Sequence, residues 1–524
     1  MQYITPYDAI PYESKSFPQT HPDRIATLGR LFGMNPAPVT HSRVLELGCA
    51  GGGNLIPMAF HLPESDFLGI DLSNRQVLRG QRFIDKLSLQ NIQIQNASIM
   101  DIDSTWGQFD YIIAHGVFSW VPTEIREKII FICSNNLNPN GIAYVSYNTY
   151  PGWHMREMIR HAMLYHANQF TDTSEKIQQA RAVVDFLSNA VPVENNHYGI
   201  LLKDELKLIR NSSDAYLFHD HMEEVNAPIY FHQFIEHANK HNLQYLGEAD
   251  FSTMLTSGFP KKVNDTLNRI SQNIISTEQY MDFLRNRQFR QTLLCHKGQE
   301  LRRNLNGKHT KGLLIASALR PVKEPIDYTN DKKQLFIEPS GSSVETSYPL
   351  TKSTLAVIKD LWPRVADFDD LFEEANRRLD DLLLSNVTNR KKSKQILADD
   401  LLYCYTANAL EFHTWQADFV TIVSKKPKVS KLAAYQAAES HIVVNQRHET
   451  VYLDPVSQHM VPLLDGTKDR IAIMNRLEEC VIDGKITMNK NDMPLTDSKS
   501  IRVALEKAVE KTLGDLARSA MLVK

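Results

Sequence analysis

Short apolar runs alternate with stretches of helical period between Arg43 and Tyr147, and that rhythm predicts a parallel sheet wrapped by helices. Residues 44–47, 67–71, 92–97, 111–114 and 142–147 read as its strands. Ser73 with Gln76 three residues on has the spacing of a capping box and opens a helix to about Leu87. Ile125, Ile129, Ile130, Cys133 and Leu137 recur at helical spacing before the turn Asn138, Pro139, Asn140, Gly141. Residues 155–242 read as a helical insertion, with Tyr230, Phe231, Phe234, Ile235 and Ala238 on one face. Strand character returns at 243–247 and 289–296, so the sheet is expected to resume and close with an antiparallel pair. Further on, Leu355, Ile358, Leu361 and Trp362, then Phe368, Leu371, Phe372 and Ala375, give short amphipathic helices. The tail repeats that character at Ile471, Met474 and Leu477. The expected domains are an N-terminal arm (1–40), a core (41–154), a helical lid (155–242), the closing strands (243–300), a mostly helical middle domain (301–415) and a winged-helix-like C-terminal domain (416–524).

A chain of 524 residues is too long for one core and predicts roughly three to four folding units. With 42% hydrophobic and 23% charged residues it matches an ordinary globular protein, which excludes disorder as the main state. The net charge of -3 gives no overall pull toward nucleic acid or an anionic membrane. The basic runs at 390–394 and 425–428 lack interleaved aromatics and read as solvated loops, so no DNA or RNA partner is expected. Five cysteines without CxxC spacing predict neither zinc nor a disulfide framework, and fit a reducing compartment. The start has no basic flank followed by an apolar run, and no stretch approaches the ~18 apolar residues of a membrane span. The expectation is a cytoplasmic enzyme without membrane insertion.

The chemistry concentrates where the first strand turns into a helix, at Glu46, Leu47, Gly48, Cys49, Ala50, Gly51, Gly52, Gly53 and Asn54. Glycines there let the backbone approach a ligand, and Asn54 is placed to cap the next helix. A dinucleotide loop would place a third glycine where Ile56 stands. Glu46 would repel a pyrophosphate but tolerates a cationic ligand. Asp71 ends the second strand, where a carboxylate accepts ribose hydroxyls. Asp101, within Ser98, Ile99, Met100, Asp101 and Ile102, is placed to accept from an adenine amino group, and His115 with Gly116 follows the fourth strand. These strand ends converge on one crevice, as open α/β sheets require.

Residues 44–54 and Gly69, Ile70, Asp71, Leu72, Ser73 resemble the first two motifs of class I S-adenosylmethionine-dependent methyltransferases. More narrowly, the chain resembles bacterial members with a methyltransferase regulatory domain, whose best-known representatives are lysine methyltransferases of outer-membrane proteins. That likeness rests on residues 11–22, on 117–122, on 146–153, and on 219–241 followed by 243–246. It implies a Rossmann-like α/β fold and S-adenosylmethionine held by Glu46, Gly48, Cys49, Ala50, Gly51 and Asn54, by Asp71, Leu72 and Ser73, by Ser98, Asp101 and Ile102, and by His115 and Gly116. It also implies a lid and two further domains that present a large substrate, such as an outer-membrane protein met before export.

For the acceptor, Phe118, Trp120 and Tyr150 are expected to line an apolar channel, with Tyr147, Asn148, Trp153 and lid residue Asp220 as candidate catalytic groups. Tyr12, on the arm, either folds over the cofactor or lies on the surface. A lysine acceptor leads; a small-molecule or nucleic-acid acceptor, or a cofactor-binding regulator without turnover, are the alternatives.

Overall fold

A computed structural model of the chain describes residues 15–329, 331–381, 389–490, 493–495 and 497–524. Tyr12 lies outside the described residues. Among these, seven strands form one sheet in the order β3-β2-β1-β4-β5-β7-β6. They are β1 (Arg43–Leu47), β2 (Asp66–Asp71), β3 (Ile92–Asn96), β4 (Phe109–Ala114), β5 (Leu137–Asn148), β6 (Leu243–Glu248) and β7 (Phe289–His296). β1 to β5 run parallel, and β7 is antiparallel to both β5 and β6, the closure expected from the two late apolar runs.

Helices cover both faces, which is why the central strands β4 and β5 are buried over most of their length. On one face Val44, Tyr111, Ile113 and Tyr144 pack with α1 (Pro22–Leu31), α2 (Leu55–His61) and α3 (Asn74–Leu87). On the other, Leu45, Ile112, Val145 and Tyr147 pack with α4 (Thr123–Asn135) and α9 (Phe231–Lys240). Ser73 caps α3 as its spacing predicts, accepting from the Gln76 amide at 3.2 Å.

Two expectations change. The turn at Asn138 to Gly141 does not precede the strand but bulges from it: Leu137 pairs with Phe109 and Ile142 with Tyr111, so four residues oppose Asp110 alone. The helical insertion also packs as a unit of its own only as far as Met222. Its own core runs through α5 (Gly152–Ala167), α6 (Thr173–Ala190), α7 (His197–Asn211) and α8 (Asp214–His221), from Ile159 to Met222. The apolar stripe of α9 instead faces the sheet, where Phe231, Phe234 and Ile235 belong to the core under β5. α10 (Lys261–Ile270) and α11 (Ile274–Arg285) then lead into β7.

The middle domain sets α12 (Pro349–Leu361), α13 (Phe368–Asp381) and α14 (Arg390–Thr406) beside β8 (Leu314–Ala316), which pairs with β12 (Ala366–Asp367) and β13 (Glu411–His413); β9 (Arg320–Pro321), β10 (Gln334–Ile337) and β11 (Ser343–Thr346) form a second small sheet. Its core is continuous with that of α1 to α3. The C-terminal domain packs α15 (Lys431–Glu439), α16 (Pro455–Met460), α17 (Arg470–Ile482) and α18 (Ser498–Arg518) around a separate core, with a hairpin of β14 (Ile442–Val444) and β15 (Thr450–Tyr452). Among the described residues, no helix is long and apolar enough to cross a membrane.

Candidate cofactor and acceptor site

Strand order reverses between β1 and β4, and a ligand crevice belongs outside the carboxyl ends of strands at such a switch point. The loops leaving these two strands touch: a Cβ on Gly48, whose φ is +71°, would lie 2.6 Å from Val117 Cγ2. Only glycine fits there. Ala50 also holds a positive φ, +48°, and Asp71 steadies it by accepting its amide at 2.8 Å through Oδ2. Through Oδ1 Asp71 accepts the Ser73 amide, also at 2.8 Å. The carboxylate is therefore a brace between the two loops, and a carboxylate can accept more than two hydrogen bonds.

Glu46 lies at the end of β1 and is 4% exposed. Oε1 accepts from Asn54 Nδ2 at 2.8 Å, whereas Oε2 is buried without a hydrogen bond among the described residues. Burial pushes the carboxyl up to about 8, opposed by the Asn54 bond and reinforced by the Asp71 charge. A buried carboxyl with an unspent oxygen beside a glycine cradle fits a ligand that brings its own positive charge. Leu72 is exposed beside Asp71, offering an apolar surface at the end of β2. Cys49 is buried, and burial raises its thiol well above the ordinary range, so it is inert packing. Gly51 approaches Gln76 of α3. Asp101 folds back to accept the Ser98 amide at 2.9 Å, while Ile102 is fully buried in the core and its side chain packs there.

Asn54 does not cap α2, contrary to expectation; its side chain makes no capping bond. It is instead a buried hub. Nδ2 donates to Glu46 and, at 2.9 Å, to Thr20 Oγ1. Oδ1 accepts from the Phe17 amide at 2.9 Å and pairs with His448 Nε2 at 2.9 Å. The N-terminal segment and the C-terminal domain thus meet on one amide behind Glu46. Phe17 continues across the β4 loop, its ring 4.0 Å from that of His115. His115 Nδ1 bonds the Tyr144 hydroxyl at 2.8 Å, and burial lowers the imidazole to about 4, so it is neutral at pH 7. Gly116 is exposed, with open space where a side chain would stand, and its amide donates to Ser146 Oγ at 2.8 Å.

On the acceptor side, the structure separates the candidates that the sequence grouped. Successive side chains of β5 alternate faces, so Tyr147 joins Val145 in the core, 1% exposed, stacked on Phe234 at 4.1 Å. Its hydroxyl bonds Thr292 Oγ1 at 3.0 Å, and Thr292 donates to Glu248 at 2.9 Å. Phe118 is equally buried, edge-on to Phe234. Both pack in the core against Phe234. Asn148, one residue on, points the other way. Its amide nitrogen donates to Asn226 Oδ1 at 2.9 Å, and its backbone N–H to Ser119 Oγ at 2.8 Å, leaving the side-chain oxygen without a hydrogen bond among the described residues.

Trp120 and Trp153 meet edge to face with centroids 6.1 Å apart. Tyr150 stacks on His154 at 4.0 Å and lies 5.3 Å from Tyr230. Its hydroxyl donates to Glu157 at 3.1 Å; burial and the Glu157 charge push it up to about 12. Asp220, in α8, sits among Arg156, His219 and His221; burial pushes its carboxyl up to about 6 against those charges. Arg156 in turn pairs with Glu205 at 3.4 Å and lies over the Trp153 ring at 5.8 Å, tying the polar interior of the helical insertion to the aromatic cluster.

Sequence reasoning missed Thr20, His154, Asn226, Tyr230 and His448 as site residues, whereas Phe17 belongs to the N-terminal segment that it expected either over the cofactor or on the surface. His154 was within reach, four residues after Tyr150 at helical spacing. His448 was not, since 394 residues separate it from Asn54.

Comparison with known proteins matches three stretches to family models: a methyltransferase domain at residues 45–143, a predicted methyltransferase regulatory domain at 213–296, and a PKMT C-terminal winged-helix domain at 425–521. The solved structure of PKMT2 from Rickettsia typhi in complex with AdoHcy is 31% identical, with 98% of this chain and all of that one covered and a TM-score of 0.88. An uncharacterized Rickettsia prowazekii protein, RP789, is 37% identical over 99% of this chain and 94% of its own length. A second, RP028, is 41% identical over 45% of this chain and 94% of its own.

Proposed function

Because the chain belongs to the family of class I S-adenosylmethionine-dependent methyltransferases that carry a methyltransferase regulatory domain and a PKMT winged-helix domain, we propose that it methylates lysine side chains of a protein substrate. The observation that carries the lysine reading is the likeness to a PKMT2 along the whole chain, the winged-helix domain included. Domains beyond the catalytic sheet suit a substrate too large for a closed pocket.

S-adenosylmethionine, when bound, supplies a sulfonium methyl open to in-line attack. Around it, Glu46 would face the positively charged end through its unspent oxygen, and Asp71 the ribose, while Gly48 and Gly116 keep side chains out of the way. Asn148 would accept an N–H of the incoming amine through its amide oxygen. Trp120, Trp153 and Tyr150 supply apolar walls, which lower a lysine from its ordinary ~10.4 by removing water from the ammonium. His115, neutral and bonded to Tyr144, adds no competing charge. The protein's work is positioning and exclusion of water, which in-line transfer chiefly needs.

The test is incubation of the protein with methyl-labelled cofactor and a bacterial extract. Label is expected in the polypeptide fraction, and Asn148→Ala should lower kcat by about 10²-fold, the scale of losing one oriented polar contact to the reacting group, with little change in cofactor affinity. Label confined to RNA or to small molecules would refute the reading.

A further inference from the structure

α4 and α9 lie on the same face of the sheet. Near their solvent side three ligand-type groups converge. His237, in the last turn of α9, and His241, its C-cap, are four residues apart and so share one side of the helix. Glu127 reaches them from α4: its Oε2 is 2.9 Å from His237 Nε2 and 3.5 Å from His241 Nε2, and all three donor atoms lie within 4.8 Å of one another. Zinc bonds of about 2.0–2.2 Å in a tetrahedral site hold neighbouring ligand atoms roughly 3.3–3.5 Å apart. The Glu127–His241 separation matches that spacing, while the shorter Glu127–His237 separation has to widen slightly to admit the ion.

The same three groups can form an ion-paired hydrogen-bond cluster without a metal, in which His237 Nε2 is buried 2.9 Å from the carboxylate oxygen but poorly aligned as its donor. Two imidazole nitrogens and a carboxylate oxygen this close together are also a ligand set of the kind zinc takes. The side chains are 53% exposed at Glu127, 17% at His237 and 27% at His241, so an ion enters without opening the fold. Cysteine spacing, which carried the expectation of no metal, says nothing about histidines four apart.

We propose that Glu127, His237 and His241 form a binding site for a divalent transition-metal ion of the zinc class, with a fourth position left to water. The ion is structural. It clamps the C-terminal end of α9 to α4, while the other end of α9 presents Tyr230 and Phe234, which pack on Tyr150 and Tyr147.

The full chain, stripped of metal with a chelator, is titrated with zinc chloride by calorimetry and followed by thermal unfolding. The expected result is one zinc ion per chain, a Kd of about a micromolar or tighter, and a rise in Tm. His237→Ala and His241→Ala should each weaken binding at least about tenfold and Glu127→Gln less, while all three keep wild-type affinity for S-adenosylhomocysteine, which reports that the fold is intact. No saturable zinc binding by the wild-type chain, or binding unchanged in the double histidine variant, would overturn the proposal.

Discussion

At the scale of single residues, Glu46 and Tyr147 show how environment divides similar candidates. A carboxyl pushed up to about 8 is mostly protonated at pH 7. A cationic ligand favours the ionised form, so binding should expel a proton, and affinity for S-adenosylmethionine should climb as pH rises toward 8. Calorimetry in buffers of different ionisation enthalpy measures that release; Glu46→Gln should bind more weakly and release none. Equal release by both proteins would show that the proton comes from elsewhere. Tyr147→Phe is expected to keep turnover and lose about 1 kcal/mol of stability, the net worth of a buried hydrogen bond, because its hydroxyl serves Thr292 and Glu248. A large loss of kcat with unchanged stability would return Tyr147 to the mechanism.

At the scale of elements, most of the sheet was legible because strands buried on both faces are conspicuous apolar runs, and β7 coincides with the run at 289–296. The loop after β1 was legible for another reason: its glycines answer a steric demand, as the approach of Gly48 to Val117 shows. What the apolar pattern does not carry is which side of an element meets which neighbour. The stripe on α9 fits a lid or a sheet equally well, and only packing under β5 decides. Tyr147 and Asn148 are adjacent in sequence and opposite in the sheet, so Tyr147 stacks on Phe234 in the core while Asn148, also buried, turns to Asn226.

Buried charge was also invisible in the pattern. Arg290, on β7, is fully enclosed and bonds Glu248 at 2.7 Å, Glu278 at 3.0 Å and Asp282 at 2.8 Å, with its guanidinium 3.8 Å from the Phe231 ring centroid. Removing one partner strands the others, so Arg290→Ala should cost about 3–5 kcal/mol in denaturant unfolding. A loss below 1 kcal/mol would mean that the network is dispensable.

At the scale of the molecule, the C-terminal domain reaches the cofactor loop through His448 and Asn54, and α1 reaches the middle domain through Asp23, which accepts from Thr414 and Trp415 and pairs with His413 at 2.6 Å. His448→Ala should therefore weaken S-adenosylhomocysteine binding although it lies in another domain, and His448→Gln, which keeps a donor, should restore part of it. Equal affinity in wild type and His448→Ala would uncouple the domains.

This junction is also acid-sensitive. Burial lowers His21 to about 4, His61 to about 3 and His448 well below its ordinary value. Unfolded histidines take up protons near ~6.5, so between there and the depressed values the unfolded chain binds more protons than the folded one. Each histidine's share of the stability should fall as pH drops below about 6.5, by up to about 1.4 kcal/mol per unit, against the opposite trend of Glu46 and Asp220, whose raised carboxyls take up protons first in the folded state. The stability difference between wild type and His61→Gln, from denaturation midpoints at pH 7 to 5, should therefore shift toward the variant as pH falls; a difference that stays constant with pH would contradict it.

The central claim, methyl transfer from S-adenosylmethionine to lysine, is tested most directly by tandem mass spectrometry of peptides from extract proteins treated with the enzyme and isotopically labelled cofactor. The account predicts labelled methyl groups on lysine Nζ, absent when the cofactor is withheld. Label on another residue type, or none on any polypeptide, would contradict it.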